Sequence, residues 1–398
     1  MEVLRCAISY GADAVYIGGE AFGLRARAQN FTDAQLEEAI AYAHARGVKV
    51  HITANILAHD SDIKEAAAYF RLLETLRPDA VLVADPGMFL LAREHCPSVP
   101  LHISTQANNT NAATFRFWHD QKAARVVCAR ELSVEEIRDI RANTPEELEI
   151  EAFVHGAMCI SYSGRCLLSA YLAGRDANRG NCAHPCRWQY ALVEEKRPGE
   201  YLPVEENERG TFIMGSRDLC MIEHLPKLWE AGVDSFKIEG RMKTPLYVGT
   251  ITRAYRRAID DFIEDPARYQ ANLPRYREEI RRCTYREFTE GFYFGRPSEK
   301  ALVTSDNAYS AEAVFIGLVE AVEGDYALFT QKNKFSVGET VEILKPEGDD
   351  VETVVEEILD EEGRPQESAP HPAQALRVRF GTTPMPGDLI RQNRPKSV

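Results

Sequence analysis

No run of apolar residues in this 398-residue chain reaches the roughly 18 that a membrane-spanning helix requires. The opening Met1-Glu-Val-Leu-Arg-Cys6 has none of the basic, apolar and small-residue sections of a secretory signal. The Gly-x-Ser-x-Gly nucleophile elbow, the His-Glu-x-x-His zinc pattern and the Walker phosphate loop are all missing. Gly18-Gly19-x-x-x-Gly23 is too loose for a dinucleotide fingerprint. There is no Cys-x2-Cys pair of the kind a structural zinc knuckle favours. The cysteines number nine, and an odd count argues against a disulfide framework. These absences predict a cytoplasmic protein with no membrane segment and with reduced thiols. At 44% hydrophobic and 27% charged residues, wholesale disorder and fibrous repeats are excluded as well.

The net charge of -14 counsels against a nucleic-acid partner until its distribution is read. Residues 194–208 carry a net -4 and residues 345–367 a net -8, while 241–286 holds eleven Lys/Arg against six Asp/Glu. The average therefore conceals a basic segment suited to phosphates, although a solvated helix surface is the commoner role of such a stretch.

From residue 1 to about 240, short β-rich runs alternate with amphipathic helical stretches. The strands read Asp13–Ile17, Val48–Thr53, Ala80–Val83, Leu101–Ser104, Arg125–Cys128, Glu149–Val154 and Ser235–Ile238. Thr32 with Gln35, and Ser133 with Glu136, stand as capping boxes at helix starts. Seven such units predict an α/β fold of the (β/α)8 TIM-like barrel class. The chain opens on a helix, Glu2–Tyr10, so the first strand is expected to be missing, through a misplaced start codon. The other account is that Phe212–Gly215 closes the ring. Trp188–Glu194 and Thr211–Gly215 read as the two arms of one hairpin. From about 310 onward short strands predict a small all-β barrel domain: Ala313–Glu320, Tyr326–Thr330, Thr340–Leu344 and Ala375–Phe380. Gly363–Pro372 reads as a mobile loop. The expected division is a barrel over 1–265 with a cysteine-rich insert at 156–216, a helical linker over 266–309, and a C-terminal β-barrel domain over 310–398.

The density of thiols in Cys159-x6-Cys166-x15-Cys182-x3-Cys186 is the strongest chemical signal. Soft thiolates on polar, glycine-bearing loops of a cytosolic protein suit zinc or an iron–sulfur cluster, and the irregular spacing favours a cluster held by separate loops. Inert core cysteine is the alternative. Cys220 is an alternative fourth ligand; Cys6, Cys96, Cys128 and Cys283 read as packing residues. The strand ending Phe153-Val-His155-Gly runs into Cys159, so the thiols are expected beside the barrel's active face, with His155 pointing at them. The other strand ends on that face are polar: Arg25 and Arg27 after the first run, Thr53 and Asn55, Asp85, Ser104 through Gln106 to Asn108, Arg130-Glu131, and Lys237-Ile-Glu239-Gly-Arg241. Several cations at one mouth suit a substrate bearing carboxylates or phosphates. His51 and His102 lie earlier in their strands and read as satisfied core histidines.

Glu151-Ala-Phe-Val-His-Gly-Ala-Met-Cys159-Ile-Ser-Tyr-Ser-Gly-Arg-Cys166 resembles the defining motif of the U32 peptidase family. Asp13-Ala-Val-Tyr-Ile-Gly-Gly19, Ser104-Thr-Gln-Ala-Asn108, Asn181-Cys-Ala-His-Pro-Cys-Arg-Trp188 and Lys237-Ile-Glu-Gly-Arg241 extend the likeness along nearly the whole chain. Within the family it is most similar to the bacterial prephenate-dependent tRNA uridine hydroxylases. That resemblance implies oxygen-independent synthesis of 5-hydroxyuridine at the tRNA wobble position. It also implies a [4Fe-4S] cluster on Cys159, Cys166, Cys182 and Cys186, prephenate as hydroxyl donor and tRNA as partner. Prephenate is a dicarboxylate. Arg25, Arg130, Lys237 and Arg241 would hold its anions, Asn55, Gln106 and His155 would orient it, and His155, Lys237 and Glu239 are the candidate catalytic groups. The basic 241–286 segment and the C-terminal domain are the candidate tRNA contacts. The alternatives are a collagenase-like peptidase, which the family name records, and a non-catalytic iron–sulfur scaffold acting with a partner protein.

Overall fold

The computed structural model describes residues 1–24, 30–159, 162, 165–185, 192–193, 201–202, 205–207, 210–212, 215–295, 303–304 and 310–393. The chain opens with helix α1, Glu2–Ser9, and then alternates strand and helix. The strands β1 Ala14–Ile17, β2 Lys49–Ala54, β3 Ala80–Val83, β4 Leu101–Ile103, β5 Arg125–Val127 and β6 Glu149–Ala157 run parallel in sequence order. Between them lie α2 Asp33–His44, α3 Asp60–Leu76, α4 Pro86–His95, α5 Ala112–Asp120 and α6 Val134–Ala142. Both predicted capping boxes form: Thr32 and Gln35 at α2, Ser133 and Glu136 at α6. β3, Ala-Val-Leu-Val, is buried along its whole length, as expected of a parallel strand covered on both faces.

After β6 comes helix α7, Leu168–Ala173, and then two short hairpins, β7 Leu192–Val193 with β8 Tyr201–Leu202 and β9 Glu205–Asn207 with β10 Gly210–Phe212. Much of the single long hairpin read from the sequence, 188–191, 194 and 213–214, lies outside the described residues; its described parts pair locally, in two short hairpins. Phe212 belongs to β10 and β11 Gly215–Ser216 pairs with a later strand, so neither described end of 212–215 joins the parallel strands; 213 and 214 lie outside the described residues. β12 Asp218–Cys220 runs antiparallel to the end of β6, and after α8, Leu225–Glu230, β13 Ser235–Ile238 pairs with the first part of β6 in parallel. β1–β6 and β13 make seven parallel strands among the described residues, the seven read from the sequence rather than the eight of a complete (β/α)8 ring. β14 Phe288–Thr289 lies beside β12, and β15 Val303–Thr304 is the partner of β11. In this register Glu151 faces Val127 of β5 on one side and Ser235 of β13 on the other.

Two compact units result. One holds Ala14–Arg241 and Arg286–Ala308; the other holds Met1–Asp13, Met242–Tyr285 and Tyr309–Val398. α9, Pro245–Glu264, and α10, Pro266–Arg281, which flank position 265, both belong to the second unit. In that unit Tyr10, just past α1, donates to the Leu344 carbonyl (2.6 Å) and accepts from the Leu389 amide (3.1 Å).

The β-domain comprises β16 Ala313–Leu318, β17 Ala321–Glu323, β18 Tyr326–Thr330, β19 Phe335–Ser336, β20 Thr340–Leu344, β21 Val351–Leu359, β22 Pro365–Gln366, β23 Ser368–Ala369, β24 Ala375–Phe380 and β25 Leu389–Asn393. Its main antiparallel sheet has the order β16-β25-β20-β21-β24-β18-β17, around a core that includes Ile316, Phe329, Val341, Val355, Ile358, Val378 and Ile390. β21 was hidden in the acidic 345–367 stretch, where charged residues occupy the outward positions of a strand. Gly363–Pro372, read as a loop, contributes β22 to β21 and β23 to β19, and Ala369 is fully buried.

Candidate active site

Side chains at alternate positions of β6 share one face, so Glu151 and Phe153 line the same side of the sheet, and the pairing with β13 shifts register before His155. Glu151 has no solvent exposure and collects four donors: Tyr16 Oη (2.7 Å), Arg125 Nη1 (2.8 Å), Ser235 Oγ (3.0 Å) and Lys237 Nζ (2.8 Å). Each donor comes from a different position on β1, β5 or β13, so the cluster exists only once those strands are paired. The Lys237 ammonium also lies 3.4 Å from the Tyr16 ring centroid. Burial opposes ionisation of Glu151, yet Lys237 and Arg125 overcome it and hold this carboxyl well below the usual range. Burial lowers the Lys237 pKa, with the Glu151 carboxylate working against that shift. Arg125 extends to Glu149 at the strand's exposed start (2.7 Å).

Beside this cluster stand two more buried rings. His51 packs edge-on against Tyr16 (4.8 Å between centroids) and against His102 (4.9 Å). Burial, followed by the Arg125 charge, lowers His51 to about 4. Burial and Arg125 likewise lower His102, to about 2, so both imidazoles are neutral at physiological pH. Their Nδ1 atoms find no hydrogen-bond partner among the described residues, which corrects the expectation of satisfied core histidines. The interior therefore holds two cations, one fully buried carboxylate and a second carboxylate, Glu149, at its more exposed edge.

The predicted mouth residues divide. Arg130 and Lys237 converge: the Arg130 guanidinium lies 3.7 Å from the Phe153 ring centroid and Lys237 Nζ 5.4 Å from it. Arg241 takes the other side, donating to Thr53 Oγ1 (3.3 Å) and lying so close over Gly18 that a Cβ there would come within 2.5 Å of its Nη2. Glu239 accepts from the Arg241 amide (3.2 Å), and its own amide donates to the His155 carbonyl (2.9 Å). Gly156, at φ +113°, makes that approach feasible, since a Cβ would meet the Glu239 carbonyl oxygen at 2.7 Å. His155 is buried, with its ring 5.6 Å from that of Phe288. Asn55 Nδ2 donates to Ser104 Oγ (3.0 Å). Gln106 sits in a short 3-10 turn, Thr105–Ala107, at the end of β4. Arg25 lies outside the described residues.

The cysteine segment leaves the end of β6 and returns across the ends of β1 and β2. There the Asn178 carbonyl accepts from the Leu57 amide (3.1 Å), Arg179 grips the Asp62 carboxylate (2.5 and 2.7 Å), and Gly180 packs on Gly23 and Leu24. Cys159 is exposed, and Cys166, Cys182 and Cys220 are partly so; Cys186 lies outside the described residues. Cys6, Cys96, Cys128 and Cys283 are buried, as expected of packing residues, and desolvation pushes the Cys96 and Cys128 thiols up to about 12. Within the segment, Cys182 Sγ accepts from the His184 amide (3.3 Å), and the Cys166 and Cys182 carbonyls are held by Asn178 and Arg175. Solvent-accessible thiols on a braced loop, one already receiving an N–H···S bond, fit a thiophilic centre by chemistry. The described residues alone do not complete one, because no three of their His, Cys, Asp or Glu side chains are grouped to hold a metal ion. Cys220, the alternative ligand, is fixed on β12 opposite His155.

The basic 241–286 segment is already committed within its own unit. Arg253 binds Asp350 (2.6 Å) and Glu279 (2.6 Å), Arg282 binds Glu342 (2.9 Å) and Glu278 (2.6 Å), Arg256 binds Asp13 (2.9 Å) and Asp260 (2.5 Å), and Arg268 binds Asp261 and Glu264 (both 2.7 Å). Much of the local charge excess is neutralised by carboxylates from 345–367 and elsewhere, which removes its main argument for a phosphate contact. The groups that sequence reasoning missed, Tyr16, Arg125, Glu151 and Ser235, carried one usable signal: Glu151 precedes Phe153 and His155 at strand spacing inside an apolar run. No described helix is long and apolar enough to cross a membrane.

Comparison with known proteins places this geometry. The model of peptidase family U32 matches residues 1–302, and that of the peptidase family U32 C-terminal domain matches residues 311–391. The chain is 37% identical over 396 residues to "tRNA hydroxylation protein P1" of Bacillus subtilis, covering 99% of this chain and 93% of that one. It is 36% identical over 431 aligned residues to "tRNA hydroxylation protein P" of Escherichia coli, covering 98% and 92%. An "uncharacterized protease" of Methanocaldococcus jannaschii is 42% identical over 297 residues, 74% of this chain and 71% of that one.

Proposed function

This chain belongs to peptidase family U32, and from that premise we propose that it is an RNA-modifying enzyme that hydroxylates a uridine of tRNA, in the cytoplasm. The observation that carries this reading is the extent of the likeness to proteins named for tRNA hydroxylation, 99% and 98% of the chain, running through both units. The finer reading is 5-hydroxyuridine formed at the wobble position without dioxygen, with prephenate giving up the hydroxyl group.

The chain's own residues support an anionic co-substrate. Lys237 and Arg130 meet at the Phe153 ring, and Glu151 fixes the ammonium so that little side-chain entropy remains to be lost when a carboxylate arrives. Arg241, braced by Thr53 and capped by Glu239, offers a second guanidinium for the other carboxylate of a dicarboxylate. Lys237 and His155 are the groups placed to hold or move a proton near the reacting carbon. Cys159, Cys166, Cys182 and Cys186 would hold a [4Fe-4S] cluster, which when bound supplies one-electron chemistry or an electrostatic anchor beside the mouth.

Nucleoside mass spectrometry of tRNA from a deletion strain tests the reading. 5-Hydroxyuridine should fall, return with the wild-type gene, and stay low by at least a hundredfold in turnover with Lys237→Met. Unchanged 5-hydroxyuridine in the deletion strain removes it, and cleavage of gelatin by the metal-free protein, lost in Cys159→Ser, would put a hydrolase in its place. Iron and sulfide in anaerobically isolated protein should drop in Cys166→Ala; equal content in both would remove the cluster assignment.

A further inference from the structure

One arc of the mouth is chemically opposite to the cationic side. Asn55 Oδ1, Gln106 Oε1, Asn108 Oδ1 and Glu131 Oε2 are all buried and find no donor among the described residues. They stand at the carboxyl ends of β2, β4 and β5, the face where substrates of parallel α/β barrels bind. Orphaned buried acceptors are costly, and four on one rim require an explanation.

The segment from 104 to 109 shows a division of labour. Ser104 Oγ accepts from Asn55 Nδ2 (3.0 Å) and from the Gln106 amide (3.3 Å). Thr105 Oγ1 donates to the Cys128 carbonyl (2.9 Å), and Asn109 Nδ2 donates to the Ser104 and Val127 carbonyls (both 3.0 Å). The Asn109 carbonyl accepts from the Ala129 amide (3.0 Å), and its side-chain oxygen accepts from Trp118 Nε1 (3.1 Å). Thr105 and Asn109 therefore pin the turn to β5 and the residues just after it, while Ser104 is held by Val83 of β3 and by Asn55. The Gln106 and Asn108 side chains take no part in that pinning. Asn108 holds a left-handed backbone (φ +61°), which presents its amide at the cost of some strain. Burial raises the Glu131 carboxyl, with its own backbone amide and the Arg130 charge working against that shift.

Acceptor atoms repel carboxylates, so this arc is ill suited to the anion that Gln106 and Asn55 were expected to orient. It suits a ligand that brings N–H groups flanked by carbonyls. We propose that Gln106 and Asn108, supported by Asn55 and Glu131, form the subsite for the nucleobase, and that their amides read the imide edge of uracil. A primary amide offers a donor and an acceptor side by side, which matches N3–H and an adjacent carbonyl of uracil. The anionic co-substrate is then left to Lys237, Arg130 and Arg241 across the mouth. The inference rests on the reading of this chain as a tRNA hydroxylase and adds how that site selects its base.

The test uses the full chain and a fluorescent anticodon-arm RNA carrying uridine or N3-methyluridine at the modified position. Wild type should bind the uridine RNA about tenfold more tightly, the scale of one buried hydrogen bond left unmade. Gln106→Met with Asn108→Gly, the latter tolerating the positive φ, should lose that preference and bind both RNAs alike. Equal wild-type affinity for the two RNAs overturns the proposal without any variant, and so does a preference that survives both substitutions. Persistence of 5-hydroxyuridine in the deletion strain reports instead on the underlying function, so the two failures are distinguishable.

Discussion

Two buried ionic networks, one in each unit, use similar residue types to different ends. In the β-domain unit, Arg253 and Arg391 are almost wholly buried, and three carboxylates saturate them: Arg253 with Asp350 and Glu279, and Arg391 with Glu342 (2.6 Å), Asp350 (3.1 Å) and Glu279 (3.4 Å). In the barrel-like unit a single buried carboxylate, Glu151, serves both Arg125 and Lys237, next to two neutral histidines. The first network is built from arginine forks, which suits permanent attachment of helices to a sheet. The second joins Arg125 to Glu149 as well as to Glu151 and includes a lysine, whose compact ammonium shifts its pKa readily when buried. A buried network of arginine forks alone is structural; one that holds a lysine beside the carboxyl ends of parallel strands can receive an anion.

The largest expected effect that sharpens this contrast is Glu151→Ala. It leaves Lys237 and Arg125 buried without their shared carboxylate and should cost about 3–5 kcal/mol in urea unfolding. A cost under about 1 kcal/mol would mean that the interior admits water and that the pairing carries little.

Acidification comes next. The folded pKa values of His51 and His102, about 4 and about 2, lie below the unfolded value near 6.5. The unfolded chain takes up protons from about pH 6.5 downward while the folded chain does not. The associated stability is complete above about pH 7 and is lost as pH falls, by about 2 kcal/mol for each histidine at pH 5. Hydrogen exchange of β2 and β4 amides should accelerate between pH 7 and 5, and His51→Gln with His102→Gln should flatten that dependence. β20 and β21 should not share it. Burial opposes ionisation of Asp350, but Arg253 and Arg391 hold it below the usual carboxylate range, so its contribution persists until more acid conditions.

Arg391→Met should cost about 2–3 kcal/mol, less than a lone buried pair, because Arg253 and Arg282 still face the carboxylates left behind. Hydroxylation per folded molecule should stay at the wild-type level; a loss would show that this network is not merely structural. Smallest of all is Arg275→Ala, which removes an exposed pair with Asp349 (3.0 Å) and should leave the urea midpoint where it was.

The parallel strands were legible because each is a short apolar run flanked by a capped helix, and both capping boxes formed where Thr32 and Ser133 predicted them. β21 was not legible as a strand, because Glu352, Glu356 and Glu357 raise its charge while Val355 and Ile358 alternate inward. The partners of Lys237 and Arg241 come from β6 and β2, far away along the chain, and no local pattern marks them. The arginines of 241–286 misled for the same reason: their counter-charges lie as far off as Asp350.

By itself the sequence determined the alternation of strand and helix, the thiol-bearing loop and the polar strand ends, since period, caps and composition are local properties of the chain. Only the tertiary structure decided which charges are at rest and which are available. Electrostatic interactions act through space, and a cation's role is set by the carboxylate that folding brings within about 3 Å of it.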